Sequence, residues 1–82
     1  MSIRKFEPSG KSIKKALIDL DLSYLDLAKA VGCSVYYVRE ICVDTRVALK
    51  MRKAIAEYLG REYRRMGMSA PKWTIINKEK AA

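Results

Sequence analysis

The side chains best equipped for chemistry in this chain are cations, and the groups that usually accompany catalysis are missing. The 82 residues include 17 Lys and Arg against 9 Asp and Glu, and no His at all. Asp19, Asp21 and Asp26 come nearest to a carboxylate cluster, but Asp26 stands three residues after Ser23, where an acid serves to cap a helix. There is no nucleophile paired with a base and no glycine-rich phosphate loop, so the sequence gives no basis for an enzyme. Zinc asks for about four ligands. With Cys33 and Cys42 as the only cysteines, neither a metal nor a cofactor is expected, and both thiols read as small core hydrophobes. What remains is a net charge of +8 and a pI near 9.7, which attract polyanions: nucleic acid first, an anionic membrane surface second.

The elements that must position these charges are short helices. Residues 1–10 read as a basic N-terminal arm carrying Arg4 and Lys5 and ending in the breaker cluster Pro8-Ser9-Gly10. From Lys11 a helical period places Ile13, Leu17 and Leu20 on one face, with Ala16 beside them, up to Asp21-Leu22. Ser23 and Asp26 form a capping box for a second helix, whose apolar face is Leu27, Ala28 and Val31 and whose stop is Gly32. Ser34 caps a third helix from Val35 to about Cys42. Thr45 then caps a fourth that ends at Gly60, with Ala48, Leu49, Met51, Ala54, Ile55, Tyr58 and Leu59 inside and Lys50, Arg52, Lys53 and Glu57 on the wet side.

Beyond Gly60 the pattern weakens. Residues 61–65 extend the fourth helix or make a short fifth one, and Trp73-Thr74-Ile75-Ile76 favours a brief strand. The expected fold is therefore all-α: a compact bundle of four to five short helices over residues 11–60, with a C-terminal extension, 61–82, ending in a short strand or tail.

Two short helices joined by a tight glycine turn make a helix-turn-helix. Counting from Tyr24, Ala28 is fifth and Gly32 ninth, while Leu27, Val31, Cys33, Val38 and Ile41 are fourth, eighth, tenth, fifteenth and eighteenth. Ala28 is small because the third helix crosses close over it, Gly32 makes the turn, and the apolar five clamp the crossing angle. This pattern resembles the Cro/C1-type (XRE-like) helix-turn-helix regulators of phages and bacteria over about Lys11 to Leu59. The matching stretches include Leu-Ala-Lys-Ala-Val-Gly at 27–32 and Ala-Ile-Ala-Glu-Tyr-Leu-Gly at 54–60.

In that family the outward face of the third helix meets base edges in the major groove. The resemblance implies base contacts for Val35, Tyr36, Arg39 and Glu40. Arg39 suits guanine O6 and N7, Glu40 suits cytosine N4, and Val35 suits a thymine methyl. Helical projection puts Tyr37, Val38 and Ile41 on the opposite, inner side, with Cys42 at the border. Phosphate contacts fall to Ser34, at the helix N-terminus, and to Tyr37 at the rim, with Lys29, Arg46, Lys50 and Lys53 on the flanks. Tyr24 stands where the family often has Gln, and its hydroxyl takes the phosphate role there.

Trp73, Ile75 and Ile76 either fold back on the core or pair two subunits, and dimerisation is the favoured reading because such modules commonly read two half-sites. No apolar run approaches the roughly 20 residues needed to span a bilayer, and the N-terminus lacks a signal peptide's apolar stretch, so a cytoplasmic location is expected. The sequence thus points to a small sequence-specific regulator that binds double-stranded DNA as a homodimer, a phage or mobile-element repressor in type. The alternative is a protein-interaction module, such as an antitoxin or inhibitor, that binds its partner through the C-terminal tail.

Overall fold

A computed structural model describes residues 8–74. It is all-helical: α1 (Gly10–Leu20), α2 (Tyr24–Val31), α3 (Val35–Cys42), α4 (Leu49–Arg65) and a single 3-10 turn, η1 (Lys72–Thr74). Each of the first three α-helices begins at a serine. Ser9, Ser23 and Ser34 accept from the N–H groups of Ser12, Asp26 and Tyr37, and the Ser23–Asp26 capping box is complete in both directions. The Ser23 N–H, and secondarily its hydroxyl, hold the Asp26 carboxyl below the usual carboxylate range.

The helix ends share one device as well. After α1, Asp21 takes the left-handed conformation (φ 58°), its N–H donates to the Ile18 carbonyl, and that of Leu22 donates to Leu17. Asp44 does the same after α3 (φ 60°), with its N–H on Ile41 and that of Thr45 on Glu40. Gly67 closes α4 in this way, its N–H on Arg64 and that of Met68 on Tyr63. Gly32 ends α2 at φ 77°, where a Cβ would meet only open space; its backbone conformation is what calls for glycine.

The core is Ile13, Leu17 and Leu20 of α1, Leu27 and Ala28 of α2, Val38, Ile41 and Cys42 of α3, and Ile55, Leu59 and Tyr63 of α4, all buried. α2 and α3 pack on each other, α1 packs against α3 and α4, and α2 packs against α4. Tyr63 ties the last turns of α4 to α1 by donating from its hydroxyl to Asp19 Oδ2 at 2.8 Å. Burial first, and the Asp19 carboxylate second, push that phenol up to about 12.

Several expectations are corrected. α1 starts at Gly10, so Pro8-Ser9-Gly10 is the helix start and not the end of an arm. A Cβ on Gly10 would lie 2.1 Å from the Cys42 carbonyl oxygen, so only glycine lets α1 approach the end of α3 this closely. Thr45 caps no helix; its hydroxyl donates to the Glu40 carbonyl, and α4 begins at Leu49 after Ala48 in a left-handed conformation without a side-chain cap.

Gly60 does not stop α4, which runs on to Arg65. It is buried, and a Cβ there would come within 3.0 Å of Thr74 Cβ, so this glycine admits η1 against the helix. Trp73 and Thr74 belong to that 3-10 turn and not to a strand; Thr74 is buried and Trp73 is packed, half-buried, against the core. Ile75 and Ile76, with the arm residues Arg4 and Lys5, lie outside the described residues.

The largest correction is Arg52. Assigned by its charge to the wet side, it is completely buried. Its Nε donates to the Val47 carbonyl at 2.5 Å, its Nη1 to the Pro8 carbonyl at 2.8 Å and to Asp44 Oδ1 at 3.0 Å. Its Nη2 reaches the carbonyls of Arg46 at 2.7 Å and Ile41 at 3.4 Å. The cation sits at the carbonyl end of α3, where the helix dipole favours it. Asp44 meanwhile accepts from the Gly10 N–H with both oxygens, at 3.0 and 3.2 Å. One buried guanidinium therefore joins the start of α1, the end of α3 and the 44–48 loop.

Candidate nucleic-acid interface

α3 has a sealed flank and a bare one. Val38, Ile41 and Cys42 are at most 1% exposed, whereas Tyr36 is 71% and Val43 55% exposed, and Arg39 is exposed too. The reason is local: the 3.6-residue period puts positions 38, 41 and 42 on one stripe and 36, 39, 40 and 43 on another. Tyr36, Arg39, Glu40 and Val43 line a shallow concavity of about 290 Å³. Three of the four expected base contacts are thus brought together. Val35 is the exception, half-buried against the core, so less of its side chain faces outward. Val43, exposed one turn beyond Arg39 and Glu40, completes the surface.

The N-terminal turn of α3 follows directly on the glycine turn. Ser34 is exposed and uses its hydroxyl oxygen to accept from the Tyr37 N–H at 3.1 Å. The N–H groups of Val35 and Tyr36 have no partner inside the helix, as in any first turn, so this end carries partial positive charge.

The expected phosphate contacts fall into two groups. Lys29, Lys50 and Lys53 are exposed, and among the described residues no ion pair engages them. Arg46, by contrast, is held. Its Nε donates to Glu40 Oε1 at 2.6 Å, and its guanidinium lies 4.8 Å from the centroid of the Tyr37 ring. Tyr37 is half-buried at the rim, between the core and Arg46. Tyr24 is half-buried and lines a second, apolar dimple with Lys14, Leu17, Ile18, Leu22 and Ser23.

Two groups near the site escaped the sequence reading. Arg52 and Asp44 set the loop that carries Arg46, because Arg52 holds the Arg46 carbonyl directly and Asp44 through its own carboxylate. Spacing held the signal for Arg52: it lies three residues before Ile55 and seven before Leu59, on the buried stripe of α4. The Glu40–Arg46 pair joins residues six apart in sequence across the end of α3, and no helical period announces it.

Among the described residues there is no group of three or more His, Cys, Asp and Glu able to hold a metal ion, and no helix is long and apolar enough to cross a membrane. Burial raises both thiols, that of Cys42 to about 11. Comparison with family models, curated proteins and solved structures finds no match to this chain.

Proposed function

We propose that this chain binds double-stranded DNA by laying the bare flank of α3 in the major groove, acting as a small sequence-specific regulator of the repressor type. The observation that carries the reading is the asymmetry of α3: Val38, Ile41 and Cys42 sealed, Tyr36, Arg39 and Val43 bare. A helix fixed on one side and open on the other, with Arg39 on its open flank and Arg46 beside it, has the form a groove reader needs. Arg39, exposed and without an ion-pair partner among the described residues, is the principal base-reading residue. Lys29, Lys50 and Lys53 position the chain on phosphates, with Ser34 at the helix N-terminus, and these contacts carry affinity without sequence information. A homodimer reading two half-sites about 34 Å apart fits a module this small; with Trp73 packed against its own core, Ile75 and Ile76 are the residues proposed to join the copies. The proposed setting is the cytoplasm.

Selection of bound duplexes from a random pool, followed by variants, tests the reading. Arg39→Ala should weaken binding to the selected site far more than to random duplex, by the ~1–3 kcal/mol of one bidentate base contact. Lys50→Ala should weaken both alike. An unchanged preference in Arg39→Ala contradicts the assignment of α3.

One observation favours a protein-interaction module instead. Ile18 is 78% and Leu25 51% exposed on the α1–α2 side, and Ile18 borders the apolar dimple of about 280 Å³. A partner that stays bound in high salt while DNA is released would support that second reading.

A further inference from the structure

We propose that Glu40 is a specificity-determining residue that suppresses non-specific DNA binding by sequestering Arg46. The inference rests on the reading that α3 docks on DNA, and it assigns the two charges roles that their residue types alone do not.

The two arginines on either side of Glu40 are in different states. Arg39 carries no ion pair among the described residues, while Arg46 gives its Nε to Glu40 Oε1 at 2.6 Å and rests on the Tyr37 ring. The backbone holds the arrangement. The Arg46 carbonyl accepts from Arg52 Nη2 at 2.7 Å, and the Glu40 carbonyl accepts from the Thr45 N–H at 2.9 Å and its hydroxyl at 3.2 Å. Loop and helix end are thus locked together while the charged side chains meet at the surface, each close to half exposed.

An exposed pair of this kind is weak, so Glu40 competes with a phosphate for Arg46 without holding it permanently. Glu40 also lines the concavity with Tyr36, Arg39 and Val43, so its side chain borders the space that base edges would occupy. An amino group there, cytosine N4 or adenine N6, can replace Arg46 as the donor to Glu40 and leave Arg46 to bind a phosphate. Where the groove presents no amino group, Glu40 stays in competition for Arg46 and the phosphate contact of Arg46 is weakened. Discrimination then comes from a contact that only the right sequence releases.

The test measures binding to a random-sequence duplex as a function of salt for the full chain, Glu40→Gln, Arg46→Met and the double variant. Both side chains are near the surface, and circular dichroism verifies that each variant folds. Glu40→Gln should steepen the log–log salt slope by about 0.9, the increment of one phosphate, or about eightfold in affinity at 0.1 M salt relative to 1 M. The ratio of selected-site to random affinity should fall. In the Arg46→Met background the same substitution should leave the slope unchanged. Parallel salt lines for the wild-type chain and Glu40→Gln overturn the proposal, as does equal steepening with Arg46 removed, or a loss of random-duplex affinity in Glu40→Gln. Wild-type protein that binds no duplex even at low salt overturns the DNA reading itself, and this inference with it.

Discussion

Replacing Arg52 with Met keeps a long apolar stem in the core and removes every donor of the guanidinium. The carbonyls of Pro8, Arg46 and Val47 lose the Arg52 donor, that of Ile41 keeps the Asp44 N–H, and Asp44 loses its cation. A buried acceptor left unsatisfied costs about 1–3 kcal/mol, and removing one partner of a fully buried ion pair costs about 3–5 kcal/mol. Here the Asp44 side chain is 43% exposed, and Arg46 and Val47 lie in an exposed loop, so water can recover part of the loss. The expected destabilisation is therefore about 3 kcal/mol, carried mainly by the buried Pro8 carbonyl and by the uncompensated Asp44 carboxylate. A domain of this size has a total stability of roughly 4–12 kcal/mol, and a change of 3 kcal/mol corresponds to a fall in Tm of roughly 12–24 °C. Urea unfolding followed by helical circular dichroism measures it. Asp44→Asn, which keeps an acceptor for the Gly10 N–H, should lose only about 1 kcal/mol. A loss below about 1 kcal/mol for Arg52→Met would refute the claim that this side chain ties α1, α3 and the loop together.

Further outcomes follow from the same contacts. Asp21 and Asp44 share a left-handed backbone at helix ends, but only Asp44 uses its carboxylate to bind Gly10 and Arg52. Asp21→Gly should stabilise by about 0.5–1 kcal/mol through relief of backbone strain, whereas Asp44→Gly should destabilise by 1 kcal/mol or more in the same urea assay. Cys42 is buried, with its thiol pushed up to about 11, while Cys33 is only half-buried. At pH 8 a disulfide reagent should modify Cys33 first and Cys42 only at the rate of unfolding; equal rates would contradict the packing of α3. Tyr63 has a folded pKa raised to about 12, above its ordinary value of 10.0, so the native state holds this proton more tightly than the unfolded chain. Its contribution is complete below pH 10 and is lost between about pH 10 and 12. The Tyr63→Phe variant should lose less stability over that window than the wild-type chain, as read by urea midpoints at successive pH values.

The helix-turn-helix segment was legible because its signals are local. Ser23, Asp26, Gly32 and Ser34 each declare a cap or a turn within four residues, and all four act as the sequence suggests. The outward stripe of α3 was legible for the same reason, since an eight-residue helix has one way to divide its faces. Where residue type and position disagreed, type misled. Arg52 lies on the buried stripe of α4 but reads as a surface cation; only the ring of carbonyls assembled by the tertiary fold explains its burial. Gly60 reads as a helix stop, yet Tyr63 three residues later continues the buried stripe, and the glycine proves to be a contact point for Thr74. Thr45 reads as a cap for the next helix; instead its hydroxyl donates back to Glu40, while Asp44 closes the preceding helix, accepts from the Gly10 N–H across the molecule and pairs with Arg52. The Glu40–Arg46 contact depends on the loop path set by those residues, which no linear pattern encodes.

The most direct test is an amide NMR titration of the chain with its selected duplex, recorded at two salt concentrations. The account predicts the largest shifts at Ser34, Tyr36, Arg39, Glu40 and Val43, smaller ones at Arg46, Lys50 and Lys53, and weakening of all of them at the higher salt. Shifts confined to the face of Ile18 and Leu25, with α3 silent, would contradict it.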